Sequence, residues 1–555
     1  MSRPLHDLPL DQHAKYLARV KSSLDGNLVL PHTIESGDPY YIGDVYGQFP
    51  TPSTFEWEID TTDRPYLRHL KALSSAWPSL RYLADWMEVT TSPVKWNLIK
   101  HLESDVRSER AKRTKVAVVD FDLSSTSSGN ASVRTLDDTD ALSWVLQDDA
   151  VLDGKARLLV VEDLSRDVIE LLGGHFDINP LFFREHISDY SWYNTRDRWV
   201  ELPSLMKVSD ARKFFTLRYL QARYFENRES FEAATRQAAL FNVLRRLDED
   251  KNHTALLDAD GACVALVRSK ASFWFQTAEP GKRGIIGVLL VDPTITQGYP
   301  LWAAHPNFED PPSLFDAGPF EAPPKSVLES VVYWTRHMSH ADIASISSNP
   351  VVMASGMAHL VCAEWLRLCR YIPTRLEQVE WEIQNPDFRL DPNGIDSSLS
   401  KLYPWRRWLP LYRTMLAETM LKLFRGSSES SPALNNSPLN LQQDFHAIET
   451  TIDELQHRID KIVAVITAII SIEESRRAIT QNQYIGRLTY LAVIFAPLSF
   501  VSSFFSMTTD LAALRETFWV YFCVALPVSL LVFLLVNREV ARSWYDTLSS
   551  MKNVG

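Results

Sequence analysis

Ser499, Ser503 and Ser506 stand four and three residues apart at the end of an otherwise apolar stretch. Continuing toward the N-terminus at the same spacing adds Ala496, Ala492, Leu488, Ile485 and Asn482. On a helix these eight positions share one face. The inner half of the stripe is apolar (Ile485, Leu488), whereas the outer half is small and hydroxylated. Two roles suit it. It can line a narrow aqueous path, with a hydrophobic constriction followed by a wetter outlet. Alternatively, small residues at this spacing let helices approach closely inside a membrane. The stripe holds no ionisable side chain, so it offers no proton relay.

Other constellations carry less. His337 and His340 have a spacing open to metal binding but lack an identifiable third ligand, so a surface helix pair is expected. Asp120 with Asp122 and Asp258 with Asp260 read as strand-end or turn acids. Gly281-Lys-Arg-Gly284 is not a Walker loop, and neither G-x-S-x-G nor a Cys/His cluster occurs. Nothing therefore points to an enzyme or to a bound cofactor, and the metal ligands are unknown. A net charge of −12 without a basic stripe argues against nucleic acid. The four cysteines contain no C-x-x-C pair, which fits a reducing compartment.

Two elements must position the stripe. Leu488–Phe505 and Phe518–Val536 are uncharged for 18 and 19 residues, about the length that crosses a hydrocarbon layer of roughly 30 Å. They read as a transmembrane hairpin. Arg476, Arg477 and Arg487 precede it and Arg538, Arg542 and Lys552 follow it, while the link Ser506–Thr517 carries only Arg515 among basic residues. Six basic residues against one place both termini in the cytosol. Asp510 and Glu516 in the outer link either attract cations or are ordinary loop acids. The first thirty residues lack an apolar h-region and carry Asp7 and Asp11. A plasma-membrane location is expected ahead of a vacuolar or mitochondrial one.

A stalk leads into the first span. Ser437-Pro438 is a helix start. Beyond it Leu441, Phe445, Ile448, Ile452, Leu455, Ile459, Ile462, Ile466 and Ile469 alternate steps of four and three, a heptad seam of the coiled-coil kind. One helix is expected from about 438 to 505, about 100 Å long. Its seam packs either on the chain's own helices at 326–382 and 396–424 or on a second subunit.

Upstream, Lys115–Asp122 and Arg157–Glu162 read as buried strands, with a helix at Asp137–Gln147 between them. Ser165 caps a helix from Arg166 to Leu172, expected to stop at Gly173-Gly174. Strands follow near 197–207, 213–222, 254–258, 262–268, 271–276 and 284–291, with a helix near 230–247. The expected organisation is an unassigned N-terminal extension (1–113), an α/β domain (114–308) and a helical region with linkers (309–436). The stalk (437–487), first span (488–505), outer loop (506–517), second span (518–536) and cytosolic tail (537–555) complete it. The fold class is thus a cytosolic α/β mixed-sheet sandwich with a long helical stalk and two C-terminal transmembrane helices.

With this layout, the segment Arg487-Leu-Thr-Tyr-Leu-Ala-Val-Ile-Phe-Ala-Pro-Leu-Ser-Phe500 resembles the CorA-like magnesium transporters, and most of all their large fungal members. Asp177–Phe183, Gly287–Pro293 and Asn482 support the resemblance, which covers about residues 155 to 545. It implies a homopentamer whose first spans line a central pore, with the second spans facing lipid and Mg2+ as the transported and regulatory ion. The acidic pairs would then join regulatory cation sites between subunits. The family's Gly-Met-Asn pore-mouth signature reads here Ser506-Met507-Thr508. That change removes a side-chain amide from a ring of five, while Thr508 still offers a hydroxyl. The alternative is a non-conducting, membrane-anchored regulatory or binding protein of the same fold.

Overall fold

The computed structural model describes residues 61–90, 104–123, 131–136, 138–147, 155–188, 204–245, 247–250, 259, 261–277, 284–304, 313, 324–385, 395–424, 441–506 and 514–536. The chain divides into two compact units, residues 1–390 with 400–460, and residues 391–399 with 461–555.

The first unit is built on an eight-stranded mixed sheet. Its order is β2 (Ser132–Leu136), β1 (Lys115–Asp122), β3 (Lys155–Glu162), β7 (Ile285–Val291), β6 (Cys263–Gln276), β4 (Phe214–Phe225) and β8 (Tyr299–Pro300), with β5 (Leu247–Asp250) also on β6. β3 and β7 form its parallel pair, Ala156 facing Ile285 through Glu162 facing Val291. Their sequences are near-continuous apolar runs because both faces are buried.

Several elements depart from the sequence reading. The two strands expected at 262–268 and 271–276 are one strand, β6. Ser269 and Lys270 look like an interruption, yet they pair with Tyr219 and Arg218 in the ladder. Lys270 is tolerated inside because its Nζ donates to the Glu185 carbonyl (2.8 Å) and to Ser188 Oγ (2.6 Å). β5, with the sequence Leu-Asp-Glu-Asp, gave no strand signal. Its acids are held from outside the strand: Arg268 donates to Asp248 at 2.5 Å, and Arg375 and Tyr371 donate to Asp250 at 2.8 and 2.7 Å. The strand expected near 197–207 is absent over its described part, where Met206–Asp210 forms one helical turn. Residues 197–203 and the strand expected at 254–258 lie outside the described residues, as do Asp258 and Asp260.

Among the helices, α1 (Pro65–Leu73), α2 (Arg81–Val89) and α3 (Ser104–Ala111) belong to the extension that sequence left unassigned. Tyr66, Leu67, Leu70, Leu83 and Trp86 pack in the same buried cluster as Val118, Leu159 and Val288 of the sheet. α4 (Thr139–Gln147) lies where expected. α5 runs Arg166–Phe176, past the two glycines, and ends at Asp177 with φ +50°. Gly173 serves close approach instead of termination: a Cβ there would sit 2.6 Å from the Tyr66 ring. α6 (Pro180–Ile187) follows, capped by Asn179, and α7 (Arg228–Leu240) precedes β5.

The helical stretch expected at 326–382 is several helices: α8 (Val327–Arg336), α9 (His340–Ser345), a 3-10 turn at Pro350–Ala354 and α10 (Ser355–Gln384). α11 is Ile395–Leu423. Pro350–Gln384 is long and apolar enough to cross a membrane, but its apolar window is 83% buried, so it is a core helix. α12 runs unbroken over Gln442–Phe505, 64 residues; the Ser437-Pro438 start lies outside the described residues. Phe445, Ile448, Ile452, Leu455 and Ile459 are buried in the single chain. Phe445 meets Phe424 edge-on with centroids 5.8 Å apart. Arg458 pairs with Glu380 of α10, and Asp453 with Arg413 of α11. Through Ile459, therefore, the seam packs on the chain's own helices.

Candidate functional site: the apolar helix pair

The second unit holds the end of α12 and α13 (Leu514–Val536). α13 begins ahead of the apolar run, so Arg515, Glu516 and Thr517 belong to its first turn. The amide of Ser506 donates to the Ser502 carbonyl at 3.0 Å and carries the turn pattern to Ser506. Met507, Thr508 and Asp510 lie outside the described residues.

The apolar helices touch at the level of Leu498. The Tyr521 hydroxyl reaches the Leu498 carbonyl at 3.4 Å. Pro497, Val501 and Ala525 are buried, and Val493 and Leu498 are half-buried. Pro497 has no N–H to give the carbonyl of Val493, which loosens the helix at this level. Val493, Pro497 and Val501 repeat every fourth residue and mark the face turned toward α13. Sequence reasoning missed this face, although its i, i+4 spacing was there to be seen.

All eight stripe residues are exposed in the single chain: Asn482, Ile485, Leu488, Ala492, Ala496, Ser499, Ser503 and Ser506. At about 100° per residue, the mean direction from Ile485 to Ser506 lies roughly 140° from the Val493–Pro497–Val501 face. Asn482 falls about 60° from that face and about 80° from the stripe's mean direction, so it lies between the two. The stripe therefore points away from α13. Leu488 is 68% and Ile485 54% exposed, a large apolar area with no cover in one chain. Thr489, off the stripe, turns its hydroxyl to the Ile485 carbonyl at 2.8 Å.

The other candidates are engaged elsewhere. Asp120 accepts from Arg157 at 2.6 Å and Arg134 at 2.8 Å, so its carboxylate is neutralised inside the chain. His337 holds its ring 4.2 Å from Tyr333, with Nδ1 2.8 Å from the Tyr333 carbonyl; His340 opens α9. No group of three or more His, Cys, Asp or Glu side chains suited to a metal occurs among the described residues. Burial raises the thiols of Cys362 and Cys369 to about 12, which leaves them inert at neutral pH.

Residues 366–538 match the family model described as CorA-like Mg2+ transporter protein. Over those residues the chain is similar to this family. The matched part starts within α10 and takes in α11, α12 and α13, hence both apolar helices. The family is one of integral-membrane ion transporters and not of enzymes. Among solved structures the chain is similar to the complete structure of the CorA magnesium transporter from Methanocaldococcus jannaschii. Identity is 10%, coverage is 75% of this chain and 96% of that one, and the TM-score is 0.34. That likeness is too slight to transfer residue roles. No curated protein matches the chain.

Proposed function

We propose that this CorA-like protein is a divalent-cation channel that passes Mg2+ through a pore lined by α12. The orientation of the stripe carries the reading. α12 turns one lateral face to α13 and leaves the opposite face, apolar at Ile485 and Leu488 and hydroxylated at Ser499 and Ser503, without a partner in the monomer. Five copies arranged about an axis would cover that face with a water-filled centre, while α13 meets lipid on the outside. Leu488 forms the constriction, and the serine rings accept hydrogen bonds from a hydrated ion. Mg2+ releases its waters reluctantly, so passage with part of the hydration shell retained suits hydroxyl and carbonyl oxygens that accept hydrogen bonds from those waters. Both termini lie in the cytosol, and Asp510 and Glu516 at the outer end raise the local cation concentration.

Proteoliposomes containing purified protein should show Mg2+ influx down a gradient, and the detergent-solubilised protein should count as five subunits. A folded pentamer without Mg2+, Co2+ or Ni2+ flux would overturn the channel reading. Ser506-Met507-Thr508 favours a second reading, in which the same scaffold is a non-conducting, membrane-anchored regulatory protein. Ser506→Gly with Thr508→Asn separates the two: gain of flux from a silent parent supports the non-conducting reading.

A further inference from the structure

The end of β3 carries a cluster that transport does not use. Asp163 follows Glu162 with φ +56°, and its side chain is buried. Its Oδ1 accepts the backbone amides of Asn242 at 2.9 Å and Val243 at 3.0 Å. The Asn242 side chain donates to the carbonyl of Arg110 at 2.8 Å and to that of Asp163 at 3.3 Å. Arg110 donates through Nη2 to the Phe241 carbonyl, and Thr114 Oγ1 donates to the Asp163 carbonyl at 2.7 Å. Three segments distant in sequence thus meet around Asp163: residues 242 and 243 at its carboxyl, Thr114 and the Asn242 side chain at its backbone carbonyl, and α3 through the bonds of Arg110 to residues 241 and 242.

The cluster is unevenly satisfied. Asp163 Oδ2, Arg110 Nε and Asn242 Oδ1 are buried without a hydrogen-bond partner among the described residues. An ionised Asp163 keeps a charge out of water with one oxygen bare, a costly arrangement. The neutral acid removes that charge and retains both amide bonds to Oδ1.

The surrounding charges are few. Arg110 faces Asp163 from α3, with Arg113 acting on Arg110 from the turn that follows. Glu162 faces it from β3, and Lys115 of β1 and Glu329 of α8 act on Glu162. From β7, Val291 offers its carbonyl to the Asp163 amide at 3.4 Å, and the next residue, Asp292, is held by Arg245 at 2.7 Å. Segment 241–243 carries no charged side chain.

We propose that Asp163 is a proton-operated latch, whose protonation tightens α3 and residues 241–243 onto the end of β3 and whose ionisation loosens them. Burial is the largest influence on the carboxyl and pushes it from 3.8 up to about 7; the two amides and Arg110 pull it back, and Glu162 pushes it up. A carboxyl that binds its proton more tightly when folded stabilises the closed form at low pH, and this contribution is lost as pH rises toward 7. Between pH 6 and 8, openings that expose Asp163 should become roughly tenfold more frequent.

Hydrogen exchange of the full-length protein in detergent, corrected for intrinsic rates, reads this directly. Protection of peptides covering 104–113 and 240–246 should fall roughly tenfold from pH 6 to pH 8. Asp163→Asn mimics the neutral acid, and Asn accepts a left-handed backbone; it should hold the pH 6 protection at both values. Arg110→Gln removes the opposing cation and should move the midpoint to higher pH. Wild-type protection in these peptides that is flat across pH 6 to 8 overturns the latch whatever the variants do. So does an unchanged pH response in Asp163→Asn.

Discussion

Arg458 of α12 grips both carboxylate oxygens of Glu380 on α10, Nε to Oε1 at 2.9 Å and Nη2 to Oε2 at 2.6 Å. A two-pronged bond fixes the rotation of α12 as well as its distance, since a planar guanidinium must face a planar carboxylate. It flanks a seam in which Leu455 and Ile459 are buried. Both side chains are about a third exposed, so solvent screens the pair. A double-mutant cycle with Arg458→Ala and Glu380→Ala should give a coupling of about 0.5–1 kcal/mol in thermal unfolding. It should shrink in high salt, whereas a coupling unchanged by salt would mean that lost packing explains the effect.

The seam's apolar members should matter more. Phe445 is fully buried against Phe424. Phe445→Ala should cost about 3–5 kcal/mol through lost transfer energy and the cavity left behind. Chemical denaturation of the full chain checks this. A loss below about 1 kcal/mol would mean that the site collapses or that the seam is not packed within the monomer.

Gly173 tests the junction between the N-terminal helices and α5. A methyl there meets three ring atoms of Tyr66 within 2.8 Å, and the Tyr66 hydroxyl is pinned to the Ile178 carbonyl at 2.7 Å. The ring cannot swing aside without breaking that bond. Gly173→Ala should destabilise by about 1–3 kcal/mol. Tyr66→Leu in the same chain should recover part of the loss, because the smaller side chain makes room; two losses that simply add would refute the contact.

These contacts show what the sequence could and could not reveal. Period and length made β1, β3, β7, the long helix and the apolar pair legible, because burial imposes a repeat on each. Long-range contacts leave no such mark. Asp248 and Asp250 remove any strand signal from β5, because the sequence does not show that Arg268 and Arg375 face them. The Gly173-Gly174 pair imitates a helix end because the demand for a small residue comes from Tyr66, more than a hundred positions away. The heptad seam announced a partner but not which one. The stripe on α12 was readable as a face; its direction relative to α13 depends on Val493, Pro497 and Val501, whose partners only the fold supplies.

His186 gives the pH response opposite in sign to Asp163. It is fully buried, with Nδ1 3.1 Å from Ser272 Oγ and Nε2 3.6 Å from Asp292 Oδ1. Burial, then Arg245 and Lys270, holds its pKa well below 6.5. The unfolded chain takes up this proton near 6.5 and the folded one does not. Stability should therefore fall as pH drops below about 6.5, by up to about 1.4 kcal/mol per pH unit from this group. The difference in unfolding free energy between wild type and His186→Gln, followed from pH 7 to 5, isolates the effect. A difference independent of pH would contradict a neutral buried imidazole.

The proposed pore makes the sharpest demand on α12, because it assigns different surroundings to adjacent residues. Single cysteines at Ala492, Ala496, Ser499 and Ser503 should react with a small water-soluble, charged thiol reagent, and flux should fall as they do. Val493→Cys and Val501→Cys, on the face toward α13, should react slowly. The parent needs Cys523→Ala, since Cys523 is the exposed cysteine of the four while the others are buried. Leu488→Ser should raise resting flux, because a hydroxyl lowers the cost of wetting a narrow apolar ring. If the Val493 face labels as readily as the Ser499 face, helix packing and not a water path explains the spacing of the small residues. The exposed stripe would then be a surface for neighbouring helices, and the ion would have to cross elsewhere.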